Sequence, residues 1–172
     1  MKPATLVLLL KGEPATEILL GYKKTGFGTG KITGIGGKVE PGETAVAGAA
    51  RELAEETGIA VSPASLGLRA ILEFHFPCKA EWEHRVHVFT THQWEGEPVE
   101  SREIRPQWFP VERIPYPRMW DDAHYWLPRL LAGEKFEAKF IFKPDNQTVE
   151  QATFEPLASF QKKKAREIPR LR

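Results

Sequence analysis

The 172-residue chain carries one cysteine, Cys78, two methionines and five histidines. A single thiol excludes an intramolecular disulfide and leaves a cysteine-rich zinc centre without ligands. His75, His84, His87, His92 and His124 form no local metal-binding spacing, and ordinary strand or loop positions are the default for them, with a place near a ligand pocket open to His84 and His87. No apolar run reaches membrane-spanning length. The hydrophobic opening is interrupted at Lys11 and by the turn Gly12-Glu13-Pro14, a pattern unlike a secretory leader. Cytoplasmic location without a membrane partner is the reading that follows. An excess of one charge is missing too, since 24 Lys and Arg face 23 Asp and Glu for a net charge of +1. Internal repeats, coiled-coil heptads and long linkers are absent from the sequence.

What is present suits one sizeable core and is too short for two ordinary domains. We read residues 1–154 as the folded domain and 155–172 as an extension, helical or partly disordered. Over 162–172, Lys162, Lys163, Lys164, Arg166, Arg170 and Arg172 oppose only Glu167. No basic, aromatic-laced surface accompanies this tail, so no stable nucleic-acid partner is expected, and the domain is expected to be a monomer. Apolar alternation predicts strands over 5–11, 17–24, 68–76, 84–92, 103–109, 135–143 and 148–154. Helices are predicted over 44–57 and 121–131. The result is an α/β fold, a mixed sheet covered by helices.

The first helix concentrates the chemistry. Glu52, Glu55 and Glu56 stand at i, i+3 and i+4, so their carboxylates leave one helix face. Three like charges repel unless a cation lies among them, and carboxylate oxygens are preferred ligands of hard divalent ions. Val46, Ala49, Ala50, Leu53 and Thr57 cover the opposite side. Pro41-Gly42 turns the chain before the helix, and Gly58 can close it in the left-handed conformation. Gly36 and Gly37 let backbone approach a ligand, and Lys38 can offset phosphate charge. The pattern points to a metal-activated site that cleaves a phosphoanhydride.

Gly37, Glu43, Arg51, Glu52, Leu53, Glu55, Glu56, Gly58 and Ile59 fill every fixed position of the Nudix box. The sequence therefore resembles the Nudix hydrolases, which implies an α/β/α sandwich with a mixed sheet and Mg²⁺-dependent hydrolysis, with Mn²⁺ as a possible substitute. Glu52, Glu55 and Glu56 are then the leading metal ligands, joined by the Gly37 carbonyl and by Glu103. Glu52 is also a candidate to orient or deprotonate water. Glu43 and Arg51 are implied to form an ion pair that steadies the junction and orients Glu52. Glu100 is a secondary ligand or a structural acid.

Beyond the box, Leu19 to Lys24, Gly26-Phe27-Gly28, Pro98 to Ser101 and Met119-Trp120 are similar to the animal branch that acts on oxidised purine nucleoside triphosphates. That likeness implies a purine nucleotide substrate such as 8-oxo-dGTP or 2-hydroxy-dATP, cleaved to the monophosphate and pyrophosphate. Lys23 becomes a contact to phosphate or base. Phe27 and Trp120 sandwich or flank a purine, and Thr5 lines the same cavity or belongs to the strand core.

Two departures bear on the base. Thr33 stands where that branch carries a purine-binding asparagine, and a hydroxyl cannot copy a two-ended amide. Asp122 falls on its first base-reading aspartate, but Ala123 falls on the second. A broader purine pocket follows. Hydrolysis of ADP-ribose, dinucleoside polyphosphates or another modified nucleotide stays open, as does a non-catalytic nucleotide- or RNA-binding module.

Overall fold

Val7 and Leu9 point to one side of the first strand and Leu8 and Leu10 to the other, and all four are buried. That alternation is the plan of the molecule, because a strand covered on both faces needs apolar residues at both parities. The computed structural model describes residues 1–157; the expected basic extension lies outside the described residues apart from 155–157. The strands are β1 (Lys2–Lys11), β2 (Glu17–Lys23), β3 (Ile32–Thr33), β4 (Ile35–Lys38), β5 (Gly67–His75), β6 (His84–Thr91), β7 (Ile104–Pro110), β8 (Phe136–Phe142) and β9 (Val149–Pro156). The helices are α1 (Ala45–Thr57) and α2 (Ala123–Leu131).

β1 organises the sheet. Its residues 4–7 pair antiparallel with β4, residues 2–9 pair parallel with β6, and its last two residues turn to β2 through Leu10↔Ile18 and Lys11↔Glu17. β6 continues to β5, β8 and β9, and β2 pairs with β7 along its whole length and with β3 through Gly21 and Tyr22. Parallel pairs (β1–β6, β5–β8) and antiparallel pairs coexist, as a mixed sheet requires. Val7, Leu9, Leu19 and Phe89 pack with Ala49 and Leu53 of α1, while Leu8, Leu10, Leu72 and Phe140 pack with Trp126, Leu127 and Leu130 of α2. One helix thus covers each face, giving the α/β/α sandwich. A fully buried leucine such as Leu53 contributes roughly 1.5–3 kcal/mol to that packing. Among the described residues, no helix is long and apolar enough to cross a membrane.

α1 begins and ends where local chemistry directs. Thr44 is extended, and its hydroxyl accepts the Ala47 N–H at 3.2 Å, satisfying a donor that the first turn leaves free. Gly58 has φ 76°, and its N–H reaches the Ala54 carbonyl at 2.9 Å. α2 starts two residues later than the sequence predicts. The Asp121 carboxylate caps β9 instead, accepting the Val149 N–H at 2.8 Å. The short strands β3 and β4 are not among the predicted elements.

Candidate active site

Arg51 sits on α1 where the chain leaving β4 folds back, and its guanidinium makes five hydrogen bonds to four groups. Nε and Nη2 donate to the two Glu43 carboxylate oxygens at 2.8 and 3.0 Å, and Nη2 also reaches the Lys38 carbonyl at 3.1 Å. Nη1 donates to Glu52 and to Glu55, each at 3.1 Å. A forked, charge-assisted pair of this kind holds both distance and plane. The Arg51 hydrogen bonds, then the backbone N–H of Glu40, bring the Glu43 carboxyl down to about 2. The guanidinium therefore locks the loop to the helix and fixes one Glu52 oxygen, the arrangement expected for Glu43 and Arg51.

The second Glu52 neighbour is the metal-type cluster. Glu52, Glu56 and Glu103 each offer a carboxylate oxygen, and these atoms lie within 4.8 Å of one another. α1 supplies two of them. Glu103 arrives through the β2–β7 ladder: Lys23 pairs with Ile104, and the Lys24 N–H donates to the Glu103 carbonyl at 2.8 Å. Glu56 is buried, and its Oε2 has no hydrogen-bond partner. Burial raises its pKa to about 8, with Glu52 and Glu103 adding repulsion and Lys23 opposing it. Burial likewise raises Glu52, against the pull of Arg51. An oxygen-only set with an orphaned buried oxygen fits a hard divalent cation, which would supply the charge that these acids lack. Gly37 faces this cluster so closely that an added Cβ would lie 2.5–2.8 Å from the Glu52 carboxylate atoms.

Beside the cluster opens a cavity of about 390 Å³, and Glu56 belongs to both. Thr5, Lys23, Phe27, Thr33, Gly37 and Lys38 line it from the β1–β4 side. Trp120 and Asp122 line it from the approach to α2. Thr5 is also buried, and its hydroxyl donates a long 3.5 Å bond to the Gly37 carbonyl, so the strand-core and cavity readings hold together. Phe27 and Trp120 stack on each other at 5.2 Å between centroids and 15° between planes. A base between them needs about 7 Å, two van der Waals layers. This geometry leaves the flanking arrangement of the two read from the sequence. Asp122 is buried, its Oδ2 accepts the Trp126 Nε1–H at 2.8 Å, and burial raises its carboxyl to about 6.

The NUDIX domain family matches residues 1–130. The chain belongs to the Nudix family. Over 156 residues it is 42% identical to the oxidized purine nucleoside triphosphate hydrolase of Mus musculus, covering 91% of this chain and 96% of that protein. The protein of the same description from Danio rerio is 43% identical over 145 residues, covering 84% of this chain and 90% of its own length. A MutT protein from Bacillus halodurans shares the fold at a TM-score of 0.77 and 22% identity, over 90% of this chain and 98% of that one.

Not every residue singled out in the Nudix sequence joins the cluster. Glu55 is more than half exposed and engaged by Arg51, outside the group of three. Glu100 pairs with Lys24 at 2.7 Å on the surface, and the same ammonium holds the Ser101 carbonyl, so this acid braces the loop that delivers Glu103. The cavity's remaining wall includes Phe74, Phe76, Trp82, His84, Met119 and Phe142. Period-two alternation on β5 and β8 marks such aromatics as inward-facing, but does not distinguish a core from a cavity. Lys31, with its ammonium 4.8 Å from the Trp120 ring centroid, carries no sequence signal at all.

Proposed function

We propose that this Nudix enzyme hydrolyses oxidised purine (deoxy)nucleoside triphosphates, such as 8-oxo-dGTP and 2-hydroxy-dATP, to the monophosphate and pyrophosphate. Mg²⁺ serves as the cofactor, with Mn²⁺ able to replace it. One observation carries the reading: buried Glu56 is shared between a three-carboxylate cluster and an aromatic cavity, so metal-dependent cleavage and base recognition meet at one side chain. The identity with the vertebrate hydrolases over nearly their whole length supports the same substrate class.

Glu52, Glu56 and Glu103 would hold the cation, with the Gly37 carbonyl as a further oxygen. When bound, it supplies charge neutralisation of the phosphoryl oxygens and acidification of water. Arg51 holds Glu52 in place from behind and keeps the Glu43–Lys38 turn against the helix. Lys23 and Lys38 add positive charge at the cavity wall, where a polyphosphate leaving the base pocket would pass. Phe27, Trp120 and Thr33 border the base, and Asp122 presents a carboxyl whose protonation state suits either a donor or an acceptor role.

The test is product identification across 8-oxo-dGTP, 2-hydroxy-dATP, dGTP and ADP-ribose with Mg²⁺. The expected result is monophosphate plus pyrophosphate, with the highest kcat/KM on an oxidised purine. Release of orthophosphate alone, or a higher kcat/KM on ADP-ribose, would overturn the assignment.

A further inference from the structure

Among the described residues, His84 is the one imidazole on the cavity wall, and its neighbours fix its tautomer. It opens β6, where register places it opposite Lys2 of β1 and Phe74 of β5. Its Nδ1 lies 2.7 Å from the Trp82 carbonyl, which can only accept, so Nδ1 carries the proton. The ring is clamped flat on Phe74, with centroids 4.9 Å apart and planes at 26°, and the Phe27 ring meets it edge-on at 5.7 Å. Neither rotation about the ring axis nor a tautomer swap is open without breaking those contacts. Nε2 has no hydrogen-bond partner among the described residues and is not one of the sealed, orphaned atoms. Burial, with the Lys2 ammonium adding, disfavours a second proton on the ring although the Trp82 carbonyl favours it.

We propose that His84 is a base-reading residue: its Nε2 lone pair is a fixed hydrogen-bond acceptor that selects a purine edge bearing an N–H donor. The inference rests on the cavity taking the purine base. Its physical basis is the scarcity of polar atoms on this wall. Around His84 the cavity is bounded mainly by Phe27, Phe74, Phe76 and Trp82, with the Lys2 ammonium tied to the Glu81 carbonyl at the same end, and an acceptor held among aromatic faces decides orientation. A base that offers a donor satisfies it. A base that offers a lone pair there strands two acceptors out of water, which costs more than the bond itself contributes. With Ala123 providing no carboxylate, the neutral imidazole is an acceptor additional to Asp122 on the cavity wall, supplied by β6 rather than by the approach to α2. The oxidised bases suit such a site, because an 8-oxo group converts purine N7 from an acceptor into an N–H donor.

Two substrate pairs isolate the contact. 8-oxo-dGTP and dGTP differ at N7, and 8-oxo-dGTP and 8-oxo-dITP differ by the 2-amino group. kcat/KM for each is measured on the wild-type enzyme, on His84→Phe, which keeps an aromatic ring but removes the acceptor, and on His84→Gln, whose amide oxygen restores one. In the wild-type enzyme at least one pair is expected to favour the donor-bearing base. His84→Phe should shrink that ratio by about tenfold, through loss on the donor-bearing member alone, with partial recovery in His84→Gln. Thermal unfolding of all three reports whether the variants fold. Wild-type ratios that persist unchanged in His84→Phe overturn the inference while leaving the purine site standing. A wild-type enzyme that processes pyrimidine triphosphates as well as these purines overturns the base-pocket reading, and His84's role with it.

Discussion

At the scale of single residues, Glu56 and Asp122 are both buried acids, and they should respond to neutralisation in opposite ways. Glu56 faces Glu52 and Glu103 with one oxygen unpartnered, so its charge is tolerable only with a cation present. Glu56→Gln should lower kcat by about two to three orders of magnitude, the scale of losing one electrostatic stabiliser. Far-UV circular dichroism and the melting temperature should be retained, and an unchanged kcat would remove Glu56 from the metal site. Asp122 has its folded pKa raised by burial from 3.8 to about 6. The folded state therefore holds that proton more tightly than the unfolded chain. Its stabilising effect is complete below about pH 4 and fades as pH rises through about 6, a change on the order of 3 kcal/mol. Asp122→Asn removes that titration while keeping an acceptor for Trp126. Its urea midpoint should fall less than the wild-type midpoint between pH 4 and pH 7. Parallel profiles would show the carboxyl to be ionised in the fold.

At the scale of elements, α1 depends on its two ends. Gly58 has a positive φ, and an added Cβ would also lie 3.3 Å from a Val99 methyl. Gly58→Ala should cost about 1–2 kcal/mol of unfolding free energy, readable by chemical denaturation, and an unchanged midpoint would mean that the helix end relaxes freely. Such ends are legible in a sequence because the cap, the turn and the amphipathic stripe all lie within a few residues. α1 accordingly matches its predicted span to within a residue, with Thr44 as the cap. β3 and β4 are not legible, since Ile32-Thr33 is too short to show alternation and the glycines around Ile35 interrupt it. They are strands because β2 recruits β3 and β1 recruits β4, where only glycine fits against the Thr5 backbone at position 36 and the Glu52 carboxylate at position 37. The acidic trio shows the same limit. Helical spacing puts Glu52, Glu55 and Glu56 on a common side, but which one turns to Arg51 and which to Glu103 depends on a loop 47 positions away, as the numbers 56 and 103 show. Thr33, Asp122 and Trp120 line the cavity, and so does His84, whose place on its wall is set once β6 is laid against β1 and β5.

At the scale of the whole molecule, the cluster joins α1 to the lead-in of β7, two segments otherwise in contact through apolar side chains. A divalent ion there binds the folded chain and not the unfolded one. At a hundred times its Kd, Mg²⁺ should raise the unfolding free energy by about 2.7 kcal/mol, with a matching rise in Tm. Exhaustive chelation should abolish turnover and reverse the Tm increase. Full activity in the chelated protein would contradict the proposed metal dependence. The paired rings of Phe27 and Trp120 have an effect of their own on the resting protein. Each ring shields part of the other from water, so the pair presents less adhesive surface than two separate rings would. That self-coverage favours solubility between turnovers, and the entering base must offer more than the two rings already give each other.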